Sequence, residues 1–470
     1  MDSLALEHHL TSPQGRGHAP DDAFTVTADG GACCDRIRFS VSLEADRISD
    51  AGFDAEGCGT ATAAGSAAVT LARGRKVLEA ARIGAAEIAG ELGGLSPGKL
   101  HAADLAADAL ARALGAAVRA RAAIPVPSRP RTLVAMSGGV DSAVAALLCA
   151  RRGDTVAVTL ELWSDHENDA ERSCCSASAV SQARALAHSM GLAHFTIDLR
   201  DEFRAGVVDP WLAAHADGLT PNPCIGCNGH VRLDAMLAFA DGLGAATLTT
   251  GHYARRTPEG LLRQAADAAK DQSYMLAALS RASLARLRFP LGDLGSKAEV
   301  RAIAREADLP VASKADSQDL CFLAGTGRAR FLARHGALRE RPGDIVDRAG
   351  RRVGRHRGHH HFTVGQRRGL GIGGEDEPLY VLATDARANT VTVGPRAALA
   401  TRTVRIRGIR RHADAGEPDA VKLRYRAPAV PCSVAGDTIS LAQPVHGVAP
   451  GQIACLLRGD VVVGCATIVG

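Results

Sequence analysis

Residues 132–148, TLVAMSGGVDSAVAALL, constrain the fold of this chain more than any other stretch. The apolar run from Thr132 to Met136 reads as a buried strand. The loop Ser137-Gly138-Gly139-Val140-Asp141-Ser142 follows at once, and then an alanine- and leucine-rich helix begins. A strand feeding a tight turn and a helix N-terminus makes an anion site, because backbone N–H groups converge there and the helix dipole favours negative charge. The glycines let the backbone approach a phosphate closely, and Ser137 and Ser142 add hydroxyl donors. Asp141 is ill-suited to bind phosphate and is expected to reach a metal ion or the loop itself. The stretch lacks the GK[ST] ending of a Walker loop.

Further strands alternate with helices downstream. Residues 155–161, 194–198 and 246–250 read as strands, and 142–151, 176–190 and 229–242 as helices. That order implies a parallel sheet with right-handed crossovers. Ligands of such sheets bind at the carboxyl ends of the strands, where the 137–142 loop, the stretch after 161 and Gly251-His252 lie. The expected fold class is multidomain. Residues 1–23 read as disordered and 24–118 as an α+β domain, with strands between Asp35 and Asp50 and helices to Leu114. Residues 119–130, rich in proline, read as a linker. Residues 131–340 form an α/β catalytic domain, 341–400 a small basic linking domain, and 401–470 a β-barrel.

Charge is uneven along the chain. Residues 1–120 hold 11 Lys+Arg against 16 Asp+Glu, and the rest holds 44 against 35. The densest positive stretch, 341–368, has eight arginines and two acids. A polyanionic partner for the C-terminal two-thirds follows. No apolar run of about 18 residues exists, so no membrane span is expected. The N-terminus lacks a cationic start and an apolar core, so no signal peptide is expected and the reading is cytoplasmic. Twelve cysteines in such a chain point to thiol or metal chemistry more than to disulfides.

Residues 220–228, TPNPCIGCN, form a rigid non-helical loop between prolines. Cys224 and Cys227 make a C-x-x-C pair, and Cys321 lies in SKADSQDLCFLAG. Three cysteines from two loops suit an iron–sulfur cluster with one open iron. They equally suit a persulfide with a resolving thiol nearby.

SGGVDS resembles the pyrophosphatase loop of the ATP-pyrophosphatase superfamily, whose members activate a carbonyl oxygen as an adenylate. SGGVDS, NPCIGCN, TGHYAR, KDQSYML, DSQDLCF, TVGQRRGLGIGG and KLRYR occur together in that order. The set resembles the tRNA-specific 2-thiouridylase family over about residues 130–470. The resemblance implies replacement of the wobble-uridine O2 by sulfur, with ATP and Mg²⁺ as co-reactants and a cysteine desulfurase or sulfur-relay protein as sulfur donor. Ala135, Met136, Ser137, Gly138, Gly139, Val140, Asp141 and Ser142 would cradle ATP, with Leu160 and Gly251. Asn222, Pro223 and Cys224 would lie against the target base. Lys270, Asp271, Gln272, Arg424 and Tyr425 would contact tRNA. In the persulfide scheme Cys321 carries the sulfur and Cys227 resolves it. Cys224 departs from the form of the family with an aspartate there. A thiol does acid–base work poorly at neutral pH but is a good cluster ligand. The substitution favours a [4Fe–4S] cluster on Cys224, Cys227 and Cys321.

Residues 32–114 resemble the U-type iron–sulfur scaffold family through ACCDRI, FDAEGCGTATAAGSA, ARGRKVLEA and GKLHAADLAADAL. The resemblance implies a [2Fe–2S] site at Cys33, Asp35 and Cys58. The third cysteine of that family, after His101, is Ala102 here. His101 or Cys34 would complete the set, and zinc on the same residues is an alternative. Fusion would give a cluster donor a high effective concentration beside its recipient.

Other candidates rank lower. Cys174 and Cys175 read as loop residues, Cys149, Cys432, Cys455 and Cys465 as packed, and Trp163 and Trp211 as packing residues. His359, His360 and His361 read as phosphate contacts within the basic stretch. The rival functions are another adenylating synthetase, such as an amidotransferase, and a cluster scaffold or carrier with a nucleotide-sensing domain.

Overall fold

The computed structural model describes residues 3–30, 34–121, 124–165, 177–316, 320–323, 325–373, 377–412 and 415–469. These form two compact units, each made of more than one stretch of chain.

The first unit begins with a helix, α1 (Ser3–Thr11), where a disordered terminus is expected from composition. The reason is tertiary. His9 is 4% exposed and its Nδ1 lies 2.8 Å from the Ser66 hydroxyl, so α1 is pinned to a helix 57 residues away. Three antiparallel strands follow in the order β1-β2-β3: β1 (Phe24–Asp29), β2 (Arg36–Glu44) and β3 (Arg47–Glu56). Their inward residues Ile37, Phe39, Val41, Ile48 and Phe53 are fully buried or nearly so. Two helices cover that face, α2 (Gly59–Ala72) and α3 (Leu100–Ala120). Their alanine-rich packing lets backbones approach closely. A Cβ on Gly65 would lie 2.3 Å from the Phe53 ring.

A five-stranded, all-parallel sheet completes this unit. Its strands are β4 (Arg131–Ala135), β5 (Thr155–Glu161), β6 (Ala193–Asp198), β7 (Ala245–Thr249) and β8 (Leu287–Arg288), in the order β8-β7-β4-β5-β6. Every residue of β5 is buried, as a strand covered on both faces requires. Helices α4 (Val140–Ala150), α5 (Ala177–Ser189), α6 (Leu233–Gly242) and α7 (Lys297–Glu306) accompany it.

The scaffold-like layer is built into the edge of this sheet. β6 is an edge strand, and α3 packs on it so closely that a Cβ on Gly115 would meet the Thr196 carbonyl at 2.1 Å. The His194 N–H donates to the Ala81 carbonyl at 2.8 Å, which occupies an otherwise open edge. Arg184 of α5, 2% exposed, is paired with Asp104 at 2.7 Å and with Asp108, both on α3. Arg112 of α3 pairs with Asp108 at 2.5 Å and with Glu161 of β5. Burial alone would raise the Asp108 carboxyl, but Arg184 and Arg112 hold it below the usual range. Burial raises Glu161 in spite of Arg112, and the Asp108 charge adds to the rise. These contacts make the fusion a docked interface as well as a tether.

The second unit holds two β structures. Strands Arg352–His356, Gly343–Val346, Thr390–Pro395 and Leu379–Asp385 form a four-stranded sheet in that spatial order. It packs on Ile345, Phe362, Val381, Val391 and Val393. The C-terminal strands close into a barrel, because the long strand Ala400–Arg411 pairs with both Thr438–His446 and the last strand, Val461–Ile468. Cys455 and Cys465 are buried in this barrel, as expected of packed residues. His359 and His360 are 7% and 4% exposed. The His359 ring lies 3.0 Å from the Ala216 carbonyl and 3.3 Å from Asn389 Oδ1. Two of the three histidines expected at phosphates are therefore core residues. Sequence charge density did not reveal that the backbone turns them inward.

Candidate active site and metal centre

Met136 follows β4 directly, and its N–H donates to the Val158 carbonyl of β5 at 2.8 Å. The chain then turns through Gly138, whose φ is +67°, and Gly139, the N-cap of α4. Gly138 answers two demands at once. Its backbone lies in the left-handed region, and a Cβ would stand 2.9 Å from the Ala179 carbonyl of α5. Ser142 closes the loop, its hydroxyl accepting from the Ser137 N–H at 3.1 Å and donating to the Gly139 carbonyl at 3.0 Å. Gly251 packs on this turn, 2.8–2.9 Å (as a built Cβ) from the backbone of Asp141 and Ser142. The expected ATP residues on β4, the loop and Gly251 thus form one surface. Leu160 lies in β5, two strand positions beyond Val158.

Asp141 accepts from Lys297 Nζ through both oxygens, at 2.6 and 2.7 Å. Lys314 Nζ donates to the Gly138 carbonyl at 3.0 Å and also meets Gln182. Sequence reading missed both lysines. They lie 156 and 176 residues from their partners, outside any local pattern.

In the second unit the thiol pair sits on a single tight turn. Pro223–Gly226 forms one helical turn with Pro223 at its start. The Asn222 side chain caps it, accepting from the Cys224 N–H at 3.1 Å. The turn runs into a π-type turn, Cys227–Arg232, a geometry found frequently at functional sites. Met275 braces both ends. Its sulfur accepts from Asn222 Nδ2 at 3.4 Å and its carbonyl from Asn228 Nδ2 at 3.1 Å. Cys227 is 7% exposed and Cys224 is half-buried. Cys321, also half-buried, closes the first unit.

The five residues expected at tRNA divide into two kinds. Arg424 is exposed, and Lys270, Gln272 and Tyr425 are half-buried. Burial raises the Tyr425 hydroxyl, a hydrogen bond with Gln272 opposing it, and Arg426 lies 6.0 Å from its ring. Asp271 is 6% exposed. It accepts from the Ala265 and Ser273 N–H groups at 3.1 Å, from the Ser273 hydroxyl at 2.9 Å and from Lys422 at 3.3 Å. It is the keystone of the turn that presents Lys270 and Gln272, and its oxygens are already occupied.

Asp35, Cys58 and His101 converge in the scaffold-like layer, one donor atom from each lying within 4.8 Å of the others. The Cys58 thiol donates to Asp35 at 3.2 Å, and His101 Nε2 is 3.7 Å from the same oxygen. Metal–ligand bonds of ~2.0–2.3 Å give tetrahedral edges of roughly 3.3–3.8 Å, so this spacing suits donors to one metal ion or to one iron of a cluster. Asp35 is 3% exposed, whereas Cys58 and His101 face outward. Gly57, at φ +128°, leaves room for the Asp35 carboxylate, which a Cβ there would touch at 2.0 Å. Cys34 is exposed, with a left-handed φ of +53°. Ala102 is fully buried. Cys33, Cys174 and Cys175 lie outside the described residues.

Comparison with known proteins agrees with this layout. The family described as NifU-like N terminal domain matches residues 3–122, and tRNA methyl transferase HUP domain matches 130–325. The tRNA methyl transferase PRC-barrel domain matches 329–395 and the aminomethyltransferase beta-barrel domain 410–468. The chain is 42% identical over 469 residues to the bifunctional protein NifU/MnmA of Rubrobacter xylanophilus, covering 96% of this chain and 95% of that one. It is 46% identical over 354 residues to the tRNA-specific 2-thiouridylase MnmA of Xanthobacter autotrophicus, covering 71% and 90%. The MnmA of Rhodospirillum rubrum is 43% identical over 349 residues, covering 70% and 92%.

Proposed function

The chain belongs to the bifunctional NifU/MnmA family, and from that premise we propose how its own residues divide the work. It is a tRNA-uridine 2-sulfurtransferase with an iron–sulfur scaffold domain at its N-terminus. The observation that carries the detailed reading is the Cys224–Cys227 pair on its Asn222-capped turn. An adenylating loop alone would serve any synthetase, whereas paired thiols supply sulfur chemistry.

Ala135 to Ser142, Leu160 and Gly251 take ATP. The loop N–H groups and the N-terminus of α4 hold the pyrophosphate as it leaves. The uridine O2 is an amide-like oxygen and leaves poorly. Transfer of AMP to it makes a good leaving group, sulfur attacks C2, and AMP departs. Mg²⁺ would neutralise the phosphate charge. Asn222, Pro223 and Cys224 receive the base, which leaves an anticodon loop already partly unstacked. Lys270, Gln272, Arg424 and Tyr425 contact tRNA, and Asp271 supports them from beneath.

Cys224, Cys227 and Cys321 are the donor set for a [4Fe–4S] cluster, with a soft thiol where a carboxylate would serve acid–base catalysis. That cluster, when bound, supplies sulfur at an iron with no protein ligand. A persulfide on Cys321 with Cys227 as partner thiol is the second reading. It is favoured by the burial of Cys227 beside the greater exposure of Cys321. Cys33, Asp35, Cys58 and His101 hold a [2Fe–2S] cluster or zinc, since imidazole replaces thiolate on iron in known clusters. The sulfur donor is a cysteine desulfurase or relay protein, and the substrates place the reaction in the cytoplasm. Among the described residues no helix is long and apolar enough to cross a membrane.

The test is anaerobic purification, iron and sulfide quantitation and EPR on the unmutated chain and on Cys224→Ala, with nucleoside analysis of the tRNA product. Loss of about four irons in the variant, together with loss of 2-thiouridine, establishes the cluster route. Thiolation by an iron-free chain fed with cysteine and a desulfurase establishes the persulfide route. Unmodified tRNA under both conditions refutes the reading.

A further inference from the structure

The peptide between Gly138 and Gly139 could face either way as far as its own residues are concerned, because both are glycine. Gly138 stands at φ +67° and Gly139 at φ −98°. Turning this peptide over swings ψ of the first and φ of the second by about 180°, which carries residue 139 into the left-handed region that glycine enters without strain. A trans peptide directs its C=O and N–H to opposite sides. Its orientation therefore decides whether the turn offers an anion the Gly139 N–H or the Gly138 carbonyl.

A cation from a distant segment of the same unit makes the choice. Lys314 Nζ donates to the Gly138 carbonyl at 3.0 Å and also meets Gln182 Oε1 of α5. Across the same peptide, the Gly139 N–H has no acceptor among the described residues. The carbonyl is thus turned to the lysine, and the N–H is left for a ligand. The backbone of Lys314 is itself held. Its N–H donates to the Val311 carbonyl at 3.0 Å, and Arg301 of α7 grips the carbonyls of Ala312 and Lys314 at 2.7 and 2.8 Å. A hydrogen bond from a charged donor is stronger than a neutral one. A carbonyl engaged in this way also polarises its peptide, which makes the N–H on the far side a better donor.

We propose that Lys314 is a positioning residue for pyrophosphate: it fixes the Gly138–Gly139 peptide with its N–H turned to the anion. The proposal rests on the adenylation reading above. In that reaction a bond forms between the uridine O2 and the α-phosphorus of ATP. The bond from that phosphorus to the bridging oxygen breaks, and its electron pair stays on pyrophosphate. The new charge falls on the group that the N–H donors of the turn hold. A donor already aimed there needs no reorganisation at that moment. With the peptide turned over, a carbonyl oxygen would face the same charge and repel it.

The experiment is calorimetry on the full chain with two probes, inorganic pyrophosphate and adenosine. Lys314→Met is expected to bind pyrophosphate about tenfold more weakly, the lower end for a hydrogen bond from a charged donor, and adenosine as before. Lys314→Arg, which keeps a charged donor, retains most of the affinity. Gly139→Ala separates aim from charge. In the present orientation its Cβ meets Ser137 Oγ at 3.6 Å, ordinary contact. In the turned-over peptide alanine is strained at positive φ, so the substitution disfavours that state whether or not the lysine is present. Whatever Gly139→Ala does by itself, adding Lys314→Met to it is expected to cost less than about twofold in pyrophosphate affinity. Equal losses in the two backgrounds would show that the lysine acts by charge alone and would overturn the positioning role. So would full affinity in Lys314→Met, a Lys314→Arg as weak as Lys314→Met, or a loss of adenosine binding as large as that of pyrophosphate. If the unmutated chain binds neither probe, the adenylation reading itself falls.

Discussion

Arg184→Met tests whether the scaffold-like layer is docked or merely tethered. Arg184 is 2% exposed and satisfies Asp104 and Asp108 on α3. Removing one partner of a buried ion pair costs about 3–5 kcal/mol, because the remaining charge is left without compensation. Two features place this case near the lower bound. Asp108 keeps Arg112 at 2.5 Å, and Asp104, 41% exposed, can turn to water. A loss of about 3 kcal/mol corresponds to roughly a hundredfold rise in the population of the locally opened state. Native-state hydrogen exchange read by mass spectrometry resolves this by segment. Peptides from α3 and β6 should exchange about a hundredfold faster in the variant, while peptides from 400–468 keep their rates. A control, Arg36→Met, removes an exposed pair (54% and 69%) and should leave α3 unchanged. A rise of less than about fivefold, or one spread evenly over the chain, would refute the claim that this network holds the interface.

Four other outcomes follow from the geometry. Gly138→Ala places a Cβ at φ +67° and 2.9 Å from the Ala179 carbonyl, so nucleotide affinity by calorimetry should fall at least about tenfold. Asp271→Asn can keep one oxygen for the Ala265 and Ser273 N–H groups, but it replaces the oxygen that accepts from the Ser273 hydroxyl and removes the charge that pairs with buried Lys422. Denaturant unfolding should show a loss of about 1–3 kcal/mol in the barrel unit, and a variant as stable as the unmutated chain would return Asp271 to the list of tRNA contacts. His101→Ala should lower the zinc or iron retained by the N-terminal site after anaerobic dialysis, leaving the melting of 400–468 unchanged. His215, 3% exposed, is pulled down to about 4 by burial, against its hydrogen bond to the Trp211 carbonyl. The unfolded chain therefore takes up the proton first as pH falls. Stability from this group is intact above about pH 6.5 and declines by roughly 3 kcal/mol on approach to pH 4. Fluorescence of Trp211, whose ring centroid lies 4.1 Å from that of His215, reports the change. A flat stability profile between pH 6.5 and 4 would refute it.

Much of the fold was legible because its signals are local. The parallel strands at 131–135, 155–161, 193–198 and 245–249 are short apolar runs separated by helical stretches, and the sequence reading places each within a residue or so. The turn at Ser137–Ser142 was legible for the same reason, since glycine, serine and a helix start lie side by side. The prolines of 220–228 read as a non-helical loop, yet Pro223–Gly226 is a helical turn, because Pro223 stands at its first position, where no N–H is needed, and Asn222 caps it. Helix α1 was not legible, because nothing in SLALEHHLT reveals the buried Ser66 that orders it. The inward turn of His359 and His360 escaped for the same reason.

By itself the sequence determined the chemistry: a phosphate-binding turn, a thiol pair, a cysteine-and-aspartate element and a basic C-terminal region. These depend on residue type and short spacing, which a linear string records in full. Tertiary structure alone decided which charges meet. It seated Arg184 between two aspartates of another layer, buried Asp271 against Lys422, and set Lys297 between Asp141 and Asp316. Buried charges must find partners wherever the fold brings them, and partners up to 156 residues apart leave no periodicity to read.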